Sequence, residues 1–455
     1  MLLPLPRARC LSLLGLCSNI KQVKQIHAQL ITNSLLRQLS AVAKLIERYF
    51  VVDNGESCAR LIFEQHAGSS DLISNVMLRY SHPEEALTLF SDQIRRGLVM
   101  RDCFAYTYVL KSCTQLNALR EGMQVHGRIV KSGFASDIVV GTTVIHFYAS
   151  CKGIRSAHRV FDEMTTRNVV TWNALMIGCC LNDSAEEALV LFKEMLQHGL
   201  ASTDRTAIAL LSACSQLCNL VLGFMVHAYI CKTIARHQDC VFIGTGLVDM
   251  YCKCGCLMSA LRVFDGMTEK NVLTWSAMIL GLAIHGKGEA ALAQLYEMEK
   301  EGLTPNAVTF TGLLSACCHN GLIEEGLYLF DAIKSRFGIE PCMQHYGCIV
   351  DLLGRAGMVK EAYEFVRRMP IEPDAIVWRA LLGACRIHKH EKLGEEIGKN
   401  LLHLEKKSTL AINNCEDYIA LSNIYASAER WEDVSTLRQQ MKKSAANNRS
   451  GRSAV

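Results

Sequence analysis

The stretch Val169-Val-Thr-Trp-Asn-Ala-Leu-Met-Ile-Gly-Cys-Cys-Leu-Asn-Asp-Ser-Ala-Glu-Glu-Ala-Leu-Val-Leu-Phe-Lys-Glu-Met-Leu-Gln-His-Gly-Leu-Ala-Ser-Thr203 writes two helices into 35 residues. In its first half Trp172, Leu175, Met176 and Cys179 recur at spacings of three and four, the stripe of a helix buried on one face. Ser184 opens Ser-Ala-Glu-Glu187, which reads as a capping box starting a second helix. The stripe of that helix is Ala188, Leu191, Phe192 and Met195. Gly199 stands where a left-handed C-terminal cap belongs, and Gly97, Gly133 and Gly302 occupy the corresponding place elsewhere.

Outward from this stretch the chain repeats itself. Trp172, Trp275 and Trp378 are spaced by 103 and 103 residues, and Arg159-Val-Phe-Asp-Glu-Met164 returns as Arg262-Val-Phe-Asp-Gly-Met267. Thr171-Trp-Asn-Ala-Leu-Met176 returns as Thr274-Trp-Ser-Ala-Met-Ile279. Cys17, Cys113, Cys214 and Cys317 follow at 96, 101 and 103 residues, and Cys385 comes after 68. Each superperiod holds three helix pairs of unequal length: Val169–Thr203 (35 residues), Asp204–Cys240 (about 36 plus a boundary residue) and Val241–Asn271 (31). One such pair cannot bury its apolar face alone, so the pairs must stack. The predicted fold is all-α, a right-handed α-solenoid of helix-turn-helix repeats of about 31–36 residues.

Composition agrees. Of 455 residues half are hydrophobic, which excludes global disorder. Only 7 are proline, against a usual share of about 5%, leaving room for unbroken helices. The balance of 48 Lys+Arg against 44 Asp+Glu gives a net charge of +4, too small to announce a polyanion partner. The 21 cysteines are odd in number and often sit in apolar runs such as Leu-Ser-Ala-Cys214, the pattern of reduced, buried thiols. No apolar run reaches the roughly 18 residues of a membrane span. Before Glu47 there is no acidic residue, whereas Arg7, Arg9, Lys21, Lys24, Arg37 and Lys44 are basic, the composition of an organelle transit segment.

With these motifs, and with Val125-His-Gly-Arg-Ile-Val-Lys-Ser-Gly133, the chain resembles the plant pentatricopeptide repeat proteins of the PLS class over about Leu11 to Lys443. Met343-Gln-His-Tyr-Gly-Cys-Ile-Val-Asp-Leu-Leu-Gly-Arg-Ala-Gly357 resembles the last short repeat of such arrays. Ala375-Ile-Val-Trp-Arg-Ala-Leu-Leu-Gly-Ala-Cys385 and Tyr418-Ile-Ala-Leu-Ser-Asn-Ile-Tyr425 resemble the C-terminal E-type extension, here without a deaminase domain. The resemblance implies a short transit segment over 1–10, a repeat array over 11–374, the extension over 375–443 and a disordered tail over 444–455. After Met441 the polar run to Val455 replaces the rest of the family's second extension motif, so the chain is truncated or its end wrongly drawn.

The resemblance further implies binding of single-stranded organellar RNA, one nucleotide per repeat, read by the fifth and last residues of each repeat. Transferred to this sequence these are Asn75 with Asp102, Thr142 with Asn168, Asn173 with Thr203 or Asp204, Thr245 with Asn271, and Ser276 with Asn306. The repeats whose fifth residues are Thr107 and Ile208 stay outside the code. By the family's rule the pairs spell U-n-A-Y-n-A-A from 5′ to 3′. The second-position residues Val139, Val170, Phe242 and Leu273 would sandwich the bases. The implied role is a specificity factor for cytidine-to-uridine RNA editing in mitochondrion or chloroplast, the mitochondrion favoured. A deaminase-bearing pentatricopeptide repeat protein or another editing factor would act in trans. The alternatives are a role in RNA stability, splicing or translation, or a protein-binding helical scaffold. A tetratricopeptide scaffold would keep a constant period of 34, which this chain does not.

Several features have plainer readings. His27, His126 and His227 recur inside apolar helices as packed, hydrogen-bonded histidines, and the tryptophans as core. Cys252-Lys-Cys254-Gly-Cys256 lacks the spacing and second pair of a structural zinc site. His82-Pro-Glu84 and His403-Leu-Glu405 carry an H-x-E pattern, but no C-x-x-C accompanies them as a zinc deaminase requires. No glycine-rich phosphate loop is present either. The sequence therefore assigns no catalytic residue, metal or cofactor to the chain, which is read as not an enzyme.

Overall fold

A computed structural model describes residues 7–66, 70–96, 102–234, 239–407 and 415–450. Among these residues the chain is helical throughout, with no strand. It divides into two compact units, the first ending at Leu217 and the second starting at Cys218.

Within each unit consecutive helix pairs stack as an α-solenoid, and the first helix of every pair carries the stacking. In the first unit Ile138–Ser150 packs on Val169–Leu181, which packs on Asp204–Leu217; in the second Val241–Lys253, Val272–Ile284, Ala307–Asn320, Met343–Arg355 and Ala375–Ile387 follow one another. The helices begin at Val169, Asp204, Val241 and Val272, where the repeat boundaries were drawn from sequence. The stripe predicted for Val169–Leu181 is buried, with Trp172, Leu175, Met176 and Cys179 at 4% exposure or less.

The repeated motifs meet as neighbours. Phe161, from the Arg-Val-Phe-Asp-Glu-Met run, meets Trp172 of the next repeat edge-on at 4.7 Å; 103 residues later Phe264 meets Trp275 at 4.9 Å. Such edge-to-face pairs contribute about 0.5–1.5 kcal/mol beyond burial. Arg167 lies over the Phe161 ring and Lys270 over Phe264, closing the same rung at the surface. The recurrent histidines form another rung: the Nδ1 atoms of His27, His126 and His227 lie 3.1, 3.0 and 2.8 Å from the hydroxyls of Tyr49, Tyr148 and Tyr251. Burial holds His27 and His126 below the usual histidine range and pushes Tyr49 and Tyr251 up to about 12.

Close approach of the first helices is achieved with glycine. A Cβ on Gly178 would stand 2.6 Å from Cβ of Ala149, and one on Gly281 would stand 2.1 Å from Sγ of Cys252. Cys252 is thus a packing residue facing Gly281, and the Cys256 thiol donates to Ser259 Oγ at 3.1 Å. Cys17, Cys113, Cys214, Cys317 and Cys385 are all buried and in no disulfide. Burial pushes Cys113, Cys317 and Cys385 up to about 12.

Gly133, Gly199 and Gly302 adopt the left-handed φ that their cap positions require, at +78°, +72° and +76°; Gly97 lies outside the described residues. The capping box expected at Ser184 does not form. Ser184 precedes the helix Ala185–Gln197, but its side chain accepts no backbone hydrogen bond and its hydroxyl donates instead to Asn182 O. The tight turn through Asp183 in the left-handed region, at φ 57°, holds Ser184 away from extended cap geometry. Of the expected transit segment, residues 1–6 lie outside the described residues and 7–10 belong to the helix Arg7–Leu14. At the other end the helix Trp431–Ser450 runs past residue 443, where the sequence boundary of a disordered tail was drawn.

Candidate functional site

Several first helices open on an Asn or Asp, which supplies an acceptor for the unpaired N–H groups of the first turn. Asn168, Asn271 and Asn306 do so, each accepting from the backbone N–H of a threonine three residues on: Thr171, Thr274 and Thr309. The same three threonines also donate their hydroxyls to the asparagine Oδ1 at 3.1 Å, and all three are fully buried.

That buried hydroxyl links the last residue of one repeat to the fifth residue of the same repeat. Thr142 Oγ1 lies 2.9 Å from Thr171 Oγ1, Thr245 Oγ1 lies 2.7 Å from Thr274 Oγ1, and Ser276 Oγ lies 2.8 Å from Thr309 Oγ1. Thr142 and Asn168, Thr245 and Asn271, Ser276 and Asn306 are therefore brought together through a threonine relay. The sequence reading missed the relay. Its signal was present in the recurrence of Thr171 and Thr274 before the tryptophans.

Two repeats use direct contact. Asn75 Nδ2 donates to Asp102 Oδ2 at 2.7 Å, and Asp102 also accepts from the N–H groups of Phe104 and Ala105. Three residues after Asp102 stands Ala105, so no hydroxyl intervenes. Asn75 Oδ1 is buried and has no hydrogen-bond partner among the described residues. In the other case Asn173 Nδ2 donates to Thr203 Oγ1 at 3.2 Å while Thr206 Oγ1 donates to Asn173 Oδ1 at 2.8 Å. Thr203 and Thr206 thus hold the register of Asn168 and Thr171. Asp204, the residue taken as the reader from sequence, is instead the exposed first residue of the helix Asp204–Leu217. The one extra residue in Gly199-Leu-Ala-Ser-Thr-Asp204 caused the shift.

Within each unit a row of exposed aliphatic and aromatic side chains flanks these polar groups, one from the second position of most first helices. Val139, Val170, Phe242 and Leu273 are 51–62% exposed, at odds with their chemistry. Leu72, Phe104, Val308 and Ile376 are exposed at the same register and extend the row beyond the residues picked from sequence. Scattered exposed hydrophobes need no explanation, but one per repeat at a constant position does. Four residues after Thr142, hence on the same helix face, His146 is held below the usual histidine range by burial and by Lys111.

Within the second unit a pocket of about 610 Å³ opens between Ala307–Asn320, Met343–Arg355 and Ala375–Ile387. It forms where the fifth position is Gly347, whose missing side chain leaves only Val377 Cγ2 at 4.0 Å. One helix further the fifth position is closed off: Arg379 donates to both carboxylate oxygens of Asp417, at 2.6 and 2.8 Å, and Asp417 is 1% exposed. The H-x-E residues occupy ordinary helical places, His82 preceding Pro83–Arg95 and 403–405 lying within Glu391–Lys407. No helix among the described residues is long and apolar enough to cross a membrane.

Comparison with known proteins agrees with this architecture. The PPR repeat family model matches residues 167–216 and 270–319, the PPR repeat model residues 142–169, 245–272, 308–336 and 345–372, and the E motif model residues 388–455. Pentatricopeptide repeat-containing protein At3g18970 of Arabidopsis thaliana is 43% identical over 99% of both chains. Pentatricopeptide repeat-containing protein At1g59720, chloroplastic/mitochondrial, of the same plant is 36% identical over 98% of this chain and 72% of its own length. Among solved structures, the pentatricopeptide repeat protein PPR10 in complex with an 18-nt psaJ RNA element superposes with a TM-score of 0.66 at 16% identity. That match covers 93% of this chain and 64% of PPR10, so the chain spans somewhat under two thirds of it and the likeness speaks for the fold. The chain belongs to the pentatricopeptide repeat family and is a helical repeat protein.

Proposed function

We propose that this pentatricopeptide repeat protein binds single-stranded RNA, one nucleotide per repeat, and serves as a specificity factor for cytidine-to-uridine editing in a plant organelle. The observation that carries the reading is the recurrent pairing, in most repeats, of an exposed apolar second-position side chain with a hydrogen-bonded fifth-position polar one. An apolar side chain standing in water gains by covering a base, and the amide or hydroxyl beside it discriminates base edges by their donor and acceptor order. The threonine relay fixes the rotamer of Thr142, Thr245 and Ser276, so little side-chain entropy remains to be lost on binding. Asn75 Oδ1, buried without a partner, gains a donor from a uracil N3–H, in keeping with U at the first position.

The E motif match over 388–455 favours editing over transcript protection, splicing or translation, with the deaminase supplied in trans. The relative whose name carries both organelles supports a mitochondrial or plastid address. A gel-shift or anisotropy titration at fixed salt tests the binding, using single-stranded UGAUGAA and a composition-matched scramble. At least about tenfold tighter binding to the ordered sequence is expected, the worth of one or two good base contacts. Equal binding to both overturns the assigned readout. Loss of editing at a matching organellar site in plants lacking the protein tests the finer role; unchanged editing with altered transcript length overturns it.

A further inference from the structure

Away from the row of fifth-position residues, three potential metal ligands converge from three helices of the first unit. His158 lies on Ile154–Glu163, Cys179 on Val169–Leu181 and Glu187 on Ala185–Gln197. His158 Nε2 is 3.6 Å from Cys179 Sγ and 3.3 Å from Glu187 Oε1, and Cys179 Sγ is 3.9 Å from Glu187 Oε2. Zinc bonds of about 2.0–2.3 Å at tetrahedral angles place neighbouring ligand atoms about 3.3–3.7 Å apart. The His158–Cys179 and His158–Glu187 distances fall in that range, although the two contacts of Glu187 use its two different oxygens. With one ligand atom taken from each residue, the three lie within 4.8 Å of one another, a spread that carboxylate rotation about its broad terminal torsion can narrow.

The internal repeat supplies an independent observation. The positions 103 residues further on hold Leu261, Leu282 and Ala290, in the repeat pair with the same Phe–Trp rung. A cysteine and a glutamate eight residues apart recur elsewhere, as Cys113 with Glu121 and Cys317 with Glu325, so the feature particular to this repeat is His158, which brings an imidazole to such a pair.

We propose that His158, Cys179 and Glu187 bind one divalent cation of the zinc class through imidazole nitrogen, thiolate sulfur and carboxylate oxygen, with solvent as the fourth ligand. Cys179, at 0% exposure, forms the floor of the site, while the His158 and Glu187 side chains, 25% and 48% exposed, close it from the rim and leave a path for the ion. On binding, the Cys179 thiol proton leaves to solvent and no electron is transferred. The ligand set is mixed nitrogen, sulfur and oxygen, which suits zinc or cobalt(II) and disfavours magnesium and calcium. Because His158 belongs to one repeat and Cys179 and Glu187 to the next, the ion staples two repeats across their stacking boundary. The ligands are separated by 21 and 8 residues and form no contiguous motif, so only the fold brings them together.

Cobalt(II) titration of the chelator-treated full chain tests the proposal, read by the thiolate-to-cobalt charge-transfer band and the visible bands of a tetrahedral site. One equivalent is expected, displaced by zinc. Cys179→Ser should abolish the charge-transfer band, and His158→Gln or Glu187→Gln should weaken binding at least about tenfold, since even supporting residues cost 10–100-fold. A Cys254→Ser/Cys256→Ser variant should keep the full signal, separating this site from adventitious binding at the neighbouring thiols. His158→Gln lies at a partly exposed helical position, so circular dichroism should show unchanged helix content and the binding comparison stays interpretable. No tetrahedral signal in the natural protein, or a signal that survives all three ligand substitutions, overturns the proposal and leaves a hydrogen-bonded trio.

Discussion

The repeats around Thr142, Thr245 and Ser276 and the C-terminal extension around Arg379 share one geometry and spend it differently. In both, the fifth residue of a first helix meets the third residue of the next first helix: Thr142 with Thr171, Thr245 with Thr274, Ser276 with Thr309, Arg379 with Asp417. In the repeats the contact is a neutral hydroxyl pair that still has donor or acceptor capacity to offer. In the extension it is a bidentate ion pair that fixes the guanidinium on a buried carboxylate. The same geometry thus carries a neutral hydrogen-bonding group in one region and a paired charge in the other, and the proposed function rests on the first.

The sharpest way to break this comparison is Arg379→Ala. It leaves the Asp417 carboxylate buried and unpaired, and removing one partner of such a pair costs about 3–5 kcal/mol. Because Arg379 is 30% exposed, the lower end of that range is expected, as a lowered midpoint in urea unfolding of the extension. RNA affinity of the variant, measured where the array remains folded, should stay unchanged. A large affinity loss would show that Arg379 contacts RNA and that the contrast between the regions is false.

Gly281→Ala comes next. Its Cβ would meet Cys252 Sγ at 2.1 Å, and overpacking of this kind costs about 1–3 kcal/mol. The double variant Gly281→Ala/Cys252→Ala should recover most of the loss in thermal unfolding, because the pair is one steric contact. Val170→Ser sharpens the comparison from the other side. It removes an exposed side chain, so stability should hold, while RNA binding should weaken by about 1 kcal/mol, at the low end of aromatic stacking values.

The smallest effect is one of pH. His27 and His126 have folded-state values below the unfolded one, so the unfolded chain binds protons first as pH falls. Their contribution is complete above about pH 6.5 and declines as pH drops below that, toward their lowered folded values. Urea midpoints at pH 7.5 and 5.5 should show the decline, and His126→Gln should reduce it; the same slope in that variant would contradict the assignment.

Much of the fold was legible because periodicity is local: the boundaries at Val169, Asp204 and Val241, the buried tryptophans and the left-handed glycines all follow from residues a turn or two apart. Half of the histidine rung was legible too, since the recurrence of His27, His126 and His227 was visible while their tyrosine partners, 22 to 24 residues away, were not. The fifth and last positions of the repeats came from family resemblance, and their connection through Thr171, Thr274 and Thr309 needed coordinates. Thr203 was offered beside Asp204, and only the helix start decided between them. Ser184 misled because a capping box needs an extended backbone, which the Asn182–Asp183 turn denies it. Arg379 and Asp417, 38 residues apart, left no local pattern.

The central claim is that hydrogen-bonding groups at the last and fifth positions choose the base. Its most direct test is Asn271→Asp, titrated against four RNAs that differ only at the sixth nucleotide of UGAUGAA. The carboxylate keeps the helix cap but cannot donate, so the preference at that nucleotide should move from adenine toward guanine by about 1–3 kcal/mol, with the other positions unchanged. An unchanged preference for adenine, in a variant that still folds and binds, would contradict the account.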